Sequence, residues 1–241
     1  MLPLRFLFAI LCLLQALPVY AEDRGDECVI LLHGLGRTER SMAKIEDRLQ
    51  DAGYRVWNLG YQSTEYSIPI LSESTISEGL RYCEHKQARR IHFVTHSLGG
   101  ILVRYYLQES EIDRLGRIVM LAPPNRGSEV ADELNQFEWF EKLLGPAAVA
   151  LGTDDYSLPN TLEAIPGVIG LIAGNATSDP WFSPMIPGED DGKVSVLRTQ
   201  LDEIQDFLVV DAGHTFIMRK HAVIGQVVYF LQQGRCNHPP L

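Results

Sequence analysis

Six short runs rich in aliphatic and β-branched residues recur along the chain: Cys28–His33, Tyr54–Leu59, Ile91–Thr95, Arg117–Leu121, Gly167–Ala173 and Phe207–Val210. Several are apolar without interruption, where a strand with one wet face would alternate. A strand keeps apolar side chains at odd and even positions alike when both its faces are covered. That is the condition of a parallel sheet between two layers of helices. Segments with helical spacing lie between the runs. Residues 38–52 set Met42, Ile45 and Leu49 three and four apart before Gly53, and residues 74–86 do the same with Ile76, Leu80 and Cys83. Residues 98–109 carry Ile101, Leu102, Tyr105 and Tyr106, and residues 215–232 carry Ile217, Val223, Ile224, Val227 and Phe230. Strand, helix and strand in repetition predict right-handed crossovers. The fold class is α/β: a doubly wound, mostly parallel sheet of about six strands with helices on both faces.

One interval breaks the rhythm. Residues 125–166 are far longer than one crossover helix requires and hold Val130, Leu134, Phe137, Trp139, Phe140, Leu143 and Leu144. The interval reads as a helical insert, either an extra helix pair packed on the sheet or a cap over a binding cleft. With 46% hydrophobic residues in 241, the chain is long enough for one sizeable core, so residues 22–241 are read as one domain.

The first 21 residues are read separately. Arg5 precedes the apolar run Phe6–Leu14, and Val19-Tyr20-Ala21 puts small residues where a signal peptidase cuts. Nine apolar residues are too few to span a bilayer comfortably. Residues 1–21 are therefore expected to be a signal peptide, and the mature chain to be exported, periplasmic or secreted. Cys28, Cys83 and Cys236 remain after cleavage; export permits a disulfide, and the odd number leaves the pairing open. A formal charge of −10 speaks against a nucleic-acid partner. No metal-ligand spacing stands out, and nothing in the sequence fixes an oligomeric state.

The stretch HFVTHSLGG at 92–100 carries the first chemistry. A strand ends at Thr95, a helical segment starts at Leu98, and Ser97 stands at the turn between them. A strand-to-helix turn with small flanking residues is the setting of a nucleophile elbow, although Thr95 occupies the place where glycine is usual. The N–H groups at the start of the helix favour a developing oxyanion, and the Leu98 amide is one candidate donor. HGLG at 33–36 follows the first apolar strand, and a glycine turn there can aim a second N–H, that of Leu35, at the same oxygen.

A serine nucleophile needs a base and an orienting acid. Of seven histidines, His214 follows the last strand in VVDAGH at 209–214, at the strand-end face that carries Ser97. His96 is adjacent to Ser97, so its side chain is expected to point away. The loop after the preceding strand holds Asp179, Glu189, Asp190 and Asp191. Asp191, followed by a turn glycine, is preferred to Asp190 as the acid that fixes the imidazole. The order is then Ser97, Asp191, His214.

With these motifs, and with APPNRGS at 122–128, the chain resembles the α/β-hydrolase superfamily, in particular the compact bacterial lipases and esterases. The resemblance covers nearly the whole mature chain. It implies hydrolysis of carboxylic esters through an acyl-serine, with no cofactor. The substrate would be a small-molecule or lipid ester, with room for transient contact with a lipid surface. The PPNRGS turn reads as structural. Phe137, Trp139 and Phe140 are the expected acyl-binding surface. The same triad would also serve an acyltransferase, a thioesterase or an amidase. A non-catalytic binding module on the hydrolase scaffold is the remaining alternative.

Overall fold

A computed structural model describes residues 24–177 and 181–238; the expected signal peptide and Asp179 lie outside them. The strands are β1 (Glu27–Leu32), β2 (Arg55–Trp57), β3 (Arg90–His96), β4 (Leu115–Leu121), β5 (Val168–Gly174) and β6 (Asp206–Val210). They form one sheet in the order β2-β1-β3-β4-β5-β6, and every neighbouring pair is parallel.

The uninterrupted apolar runs have a direct explanation in β1. Cys28, Ile30 and Leu32 point to one face and Val29 and Leu31 to the other, and all five are fully buried. The helices are α1 (Ala43–Asp51), α2 (Ile68–His85), α3 (Leu98–Glu109), α4 (Glu129–Leu134), α5 (Glu138–Val149), α6 (Leu158–Thr161), α7 (Val196–Thr199) and α8 (His221–Gln233). α2 and α3 supply Ile68, Leu71, Ile76, Ile101 and Leu102 to the first face. α1 and α8 supply Ile45, Leu49, Val223, Val227 and Phe230 to the second. Gly170 in β5 lets the Phe230 ring approach: a Cβ there would lie 2.4 Å from it.

Three helix boundaries differ from those expected. The segment read as 38–52 opens with a 3₁₀ turn at Glu39–Ser41, and α1 itself runs Ala43–Asp51. α2 begins at Ile68 rather than residue 74, because Pro69 sits in its first turn, where a missing N–H breaks no helical hydrogen bond. The last helical segment divides: His214–Arg219 is a 3₁₀ stretch, and the α-helix starts at His221. The apolar pattern bridges the break because Ile217 and Val223 pack into the same cluster.

The interval 125–166 holds α4, α5 and α6, with α5 broken at Gly145 (φ 77°) ahead of Pro146. Buried Arg104 ties its base to α3, donating to the carbonyls of Asn125, Pro159 and Leu162. Cys28 and Cys83 form a disulfide between β1 and α2, and Cys236 is a buried free thiol. Among the described residues no helix is long and apolar enough to cross a membrane.

Candidate active site

Ser97 sits between the end of β3 and the start of α3 with φ 53° and ψ −120°, a left-handed conformation that a non-glycine residue adopts only when its surroundings hold it. They do so from three sides. The Ser97 N–H donates to Leu121 O of β4 (2.9 Å), and Gly100 N–H donates to Ser97 O (2.9 Å). Gly99 lets α3 press onto β1, since a Cβ there would meet Leu32 O at 2.7 Å. Thr95 is completely buried two residues before the serine. Gly100 lies beside it: a Cβ there would come 3.0 Å from Pro123 Cβ and make ordinary contact with Thr95 Oγ1 at 3.4 Å.

Distant segments meet this serine. His214 Nε2 lies 2.9 Å from Ser97 Oγ, and His214 Nδ1 lies 2.8 Å from Asp191 Oδ2. Both residues follow strand ends on the same edge of the sheet, His214 after β6 and Asp191 in the loop after β5. Asp191 is fixed by its surroundings: Oδ1 accepts the N–H groups of Lys193 (3.0 Å) and Val194 (2.9 Å). Its carbonyl accepts the His214 N–H (2.9 Å). Because Oδ2 can only accept, Nδ1 carries the proton and the Nε2 lone pair faces the serine. Asp190, the neighbouring candidate, points elsewhere; its oxygens accept from Ser183 Oγ (2.6 Å) and the Gly192 N–H (2.7 Å). Asp211 is exposed at the end of β6.

The HGLG turn closes over the serine from β1. A Cβ on Gly34 would lie 3.2 Å from Ser97 Cβ and 2.7 Å from His96 Nδ1, so only glycine fits between turn and elbow. The amides of Leu35 and Leu98 have no protein acceptor among the described residues. The next N–H, that of Gly36, is already taken by Ser63 Oγ (2.9 Å).

Residues not singled out in the sequence hold this turn. Tyr61 stacks on His33 with ring centroids 3.9 Å apart and its hydroxyl donates to His33 O. The Tyr61 N–H donates to His33 Nε2 (3.2 Å), which leaves the proton on Nδ1, donating to Gly34 O (2.9 Å). Burial lowers the pKa of His33 and keeps the ring neutral. Ser128 Oγ donates to Lys193 O (2.7 Å) and joins the base of the insert to the acid loop. No sequence pattern relates these pairs, which lie 28 and 65 residues apart.

His96 does point away from the Ser97 hydroxyl, yet it still bears on the site. Its Nε2 donates to the His214 carbonyl (3.0 Å), and its Nδ1 has no partner among the described residues. Burial, with the neighbouring His214 adding to it, pushes its pKa well below the ordinary 6.5, so it serves as a neutral donor that fixes the His214 backbone.

Ser97, His96 and His214 open into a cleft of about 350 Å³. The insert lines its apolar side through Val130, Leu134, Phe140, Leu144, Ala148 and Leu151. Of the three expected acyl-binding aromatics, Phe140 lines the cleft and is buried. Phe137 and Trp139 do not line it. They are about half exposed and stack on each other at 6.0 Å, because Phe137 is the cap residue of α5 and Trp139 falls on its outward side. Among the described residues no cluster of His, Cys, Asp and Glu is arranged to hold a metal ion.

Residues 22–128 match the family described as "Putative serine esterase (DUF676)". No curated protein matches the chain by sequence. Among solved structures, the chain is similar to the mature lipase BlEst2 of Bacillus licheniformis (TM-score 0.73, 18% identity, covering 87% of this chain and 93% of that one). It is also similar to the product of the gene lin2722 from Listeria innocua (TM-score 0.59, 16% identity, covering 86% and 94%). A third is the phospholipase PlaB from Legionella pneumophila (TM-score 0.60, 15% identity), of which the chain covers 59% while 86% of this chain is matched. The six-stranded parallel sheet with helices on both faces is the α/β-hydrolase fold of these solved structures, and the family match is confined to residues 22–128.

Proposed function

We propose that this chain hydrolyses carboxylic esters through an acyl-serine intermediate, with Ser97 as nucleophile, His214 as general base and acid, and Asp191 as orienting carboxylate. The observation that carries the reading is the unbroken hydrogen-bonded chain Asp191–His214–Ser97 at 2.8 and 2.9 Å, opening into an apolar cleft. Ser97 Oγ attacks the ester carbonyl as its proton passes to His214 Nε2. The resulting imidazolium is stabilised by Asp191. The carbonyl oxygen, now negative, takes the two uncommitted N–H groups of Leu35 and Leu98; loss of one such donor typically costs about 3 kcal/mol in the barrier. His214 then gives its proton to the leaving alcohol. Water enters, loses a proton to the same nitrogen and releases the acid, which restores the serine. Phe140 and the insert leucines would receive the acyl chain.

The Cys28–Cys83 disulfide supports export to an oxidising compartment after removal of residues 1–21. Mass spectrometry of the N-terminus of the exported protein tests that cut.

The test of the reaction is turnover of p-nitrophenyl esters of several chain lengths by wild type and Ser97→Ala. The expected result is activity abolished in the variant and fluorophosphonate labelling confined to wild type. Equal near-background rates, with no labelling of either protein, would refute the reading.

A further inference from the structure

The chain carries 31 acidic and 21 basic residues, yet no aspartate or glutamate lines the cleft among the described residues. Its charged lining is Arg37 and Lys193, with Asp191 screened behind the His214 ring. Arg37 follows the HGLG turn directly. The residue is partly buried, and its side chain makes no ion pair among the described residues. It rests against the Phe216 ring, with Cζ 6.0 Å from the centroid, and Arg219 approaches the same ring at 5.5 Å. A cation held beside an apolar cleft without a carboxylate loses hydration and gains little in return, and its fork of N–H donors matches an oxyacid.

The position of Arg37 says which part of an ester it would meet. A leaving alcohol must reach His214 Nε2 to be protonated, so the alcohol portion lies toward the 3₁₀ stretch His214–Arg219. Phe216 belongs to that stretch and carries Arg37 against it. The apolar lining from the insert, Leu134 and Phe140 among it, is left for the acyl portion. We propose that the substrate is an ester whose alcohol portion bears an anionic oxyacid group, a phosphate or a carboxylate, which Arg37 holds at the mouth of the cleft. This deepens the ester-hydrolase reading and rests on it.

The experiment uses three octanoyl esters: monooctanoylglycerol, its phosphate monoester, and octanoyl glycolate. kcat/KM is measured for wild type, Arg37→Gln, Arg37→Lys and the exposed control Arg40→Gln. Comparing ratios between proteins cancels the differing reactivity of the leaving groups. Arg37→Gln should lower kcat/KM for an anionic ester about tenfold more than for monooctanoylglycerol, equivalent to about 1.4 kcal/mol. The change should fall mainly in KM. Arg37→Lys should recover part of the difference, Arg40→Gln should match wild type, and added salt should shrink the wild-type preference. A loss confined to the phosphate ester, or to the carboxylate ester, identifies which oxyacid is held. Loss of all three activities by one common factor, or ratios that do not move, overturns the proposal while leaving the hydrolase reading intact. Absence of turnover on every ester by wild type sinks both.

Discussion

The two adjacent aspartates offer the sharpest test of the site, because their environments predict opposite consequences for the same substitution. In Asp191→Asn the side-chain oxygen must stay where Oδ1 now accepts two N–H groups, from Lys193 and Val194. Reversing the amide would set its NH2 against both donors. The NH2 therefore replaces Oδ2 and faces His214 Nδ1, which must now accept. The imidazole proton moves to Nε2 and points at Ser97 Oγ, where a lone pair is required. The wrong tautomer and the loss of the charge opposite the imidazolium should lower kcat by about four orders of magnitude. That corresponds to about 5 kcal/mol in the barrier. In Asp190→Asn the oxygen can remain on the Gly192 N–H while the new NH2 faces Ser183 Oγ, which rotates from donor to acceptor. That exchange should change kcat by less than about tenfold, since it leaves the Asp191–His214 hydrogen bond in place. Steady-state hydrolysis of a p-nitrophenyl ester, with circular dichroism confirming that each variant is folded, measures both. If Asp190→Asn proves the crippled variant, or if both stay within tenfold of wild type, the tautomer argument is wrong.

Three further outcomes follow from the packing and the buried charges. Replacing Cys28 and Cys83 together by alanine frees a segment of 55 residues, and the chain-entropy relation gives a loss of about 4 kcal/mol, readable as a lower urea midpoint. Gly99→Ala would set a methyl 2.7 Å from Leu32 O and 2.8 Å from Leu32 Cβ, so overpacking should cost about 1–3 kcal/mol and lower the melting temperature; an unchanged melting temperature would show that α3 can slide on β1. Stability should also fall with acidity. Burial lowers the pKa of His33, His92 and His96 below the ordinary 6.5, so the unfolded chain binds protons that the folded chain refuses. This stabilisation is complete above that value and declines as pH falls below it. Glu27, held ionised by the His92 hydrogen bond first of all, acts in the same direction at still lower pH. The urea midpoint should drop between about pH 7.5 and about pH 5.5, and a flat profile would mean that these rings protonate in the folded state.

By itself the sequence determined the layers and the order of the parts. Uninterrupted apolar runs separated by helical spacing admit a sheet covered on both faces, and β1 realises this with Cys28, Ile30 and Leu32 on one side and Val29 and Leu31 on the other. Strand ends of a parallel sheet lie on one edge, so HGLG, the Ser97 turn, the Asp191 loop and His214 could be assigned to one rim before any distance was known. What the sequence left undecided were relations between side chains that periodicity does not encode. Cys28 pairs with Cys83 rather than Cys236 because α2 packs over β1 on the face away from α8. Phe140 faces the cleft while Phe137 and Trp139 face outward, because three aromatics within four residues of a helix start point in different directions. Which one is buried depends on how α5 docks, and that docking turns on the break at Gly145. Tyr61, Ser63 and Ser128 brace the site through hydrogen bonds across 28, 27 and 65 residues of chain. Local propensity acts over a few residues and sets which segments become strand or helix. Contacts of that span exist only once the sheet has closed, so tertiary structure alone selects the partners.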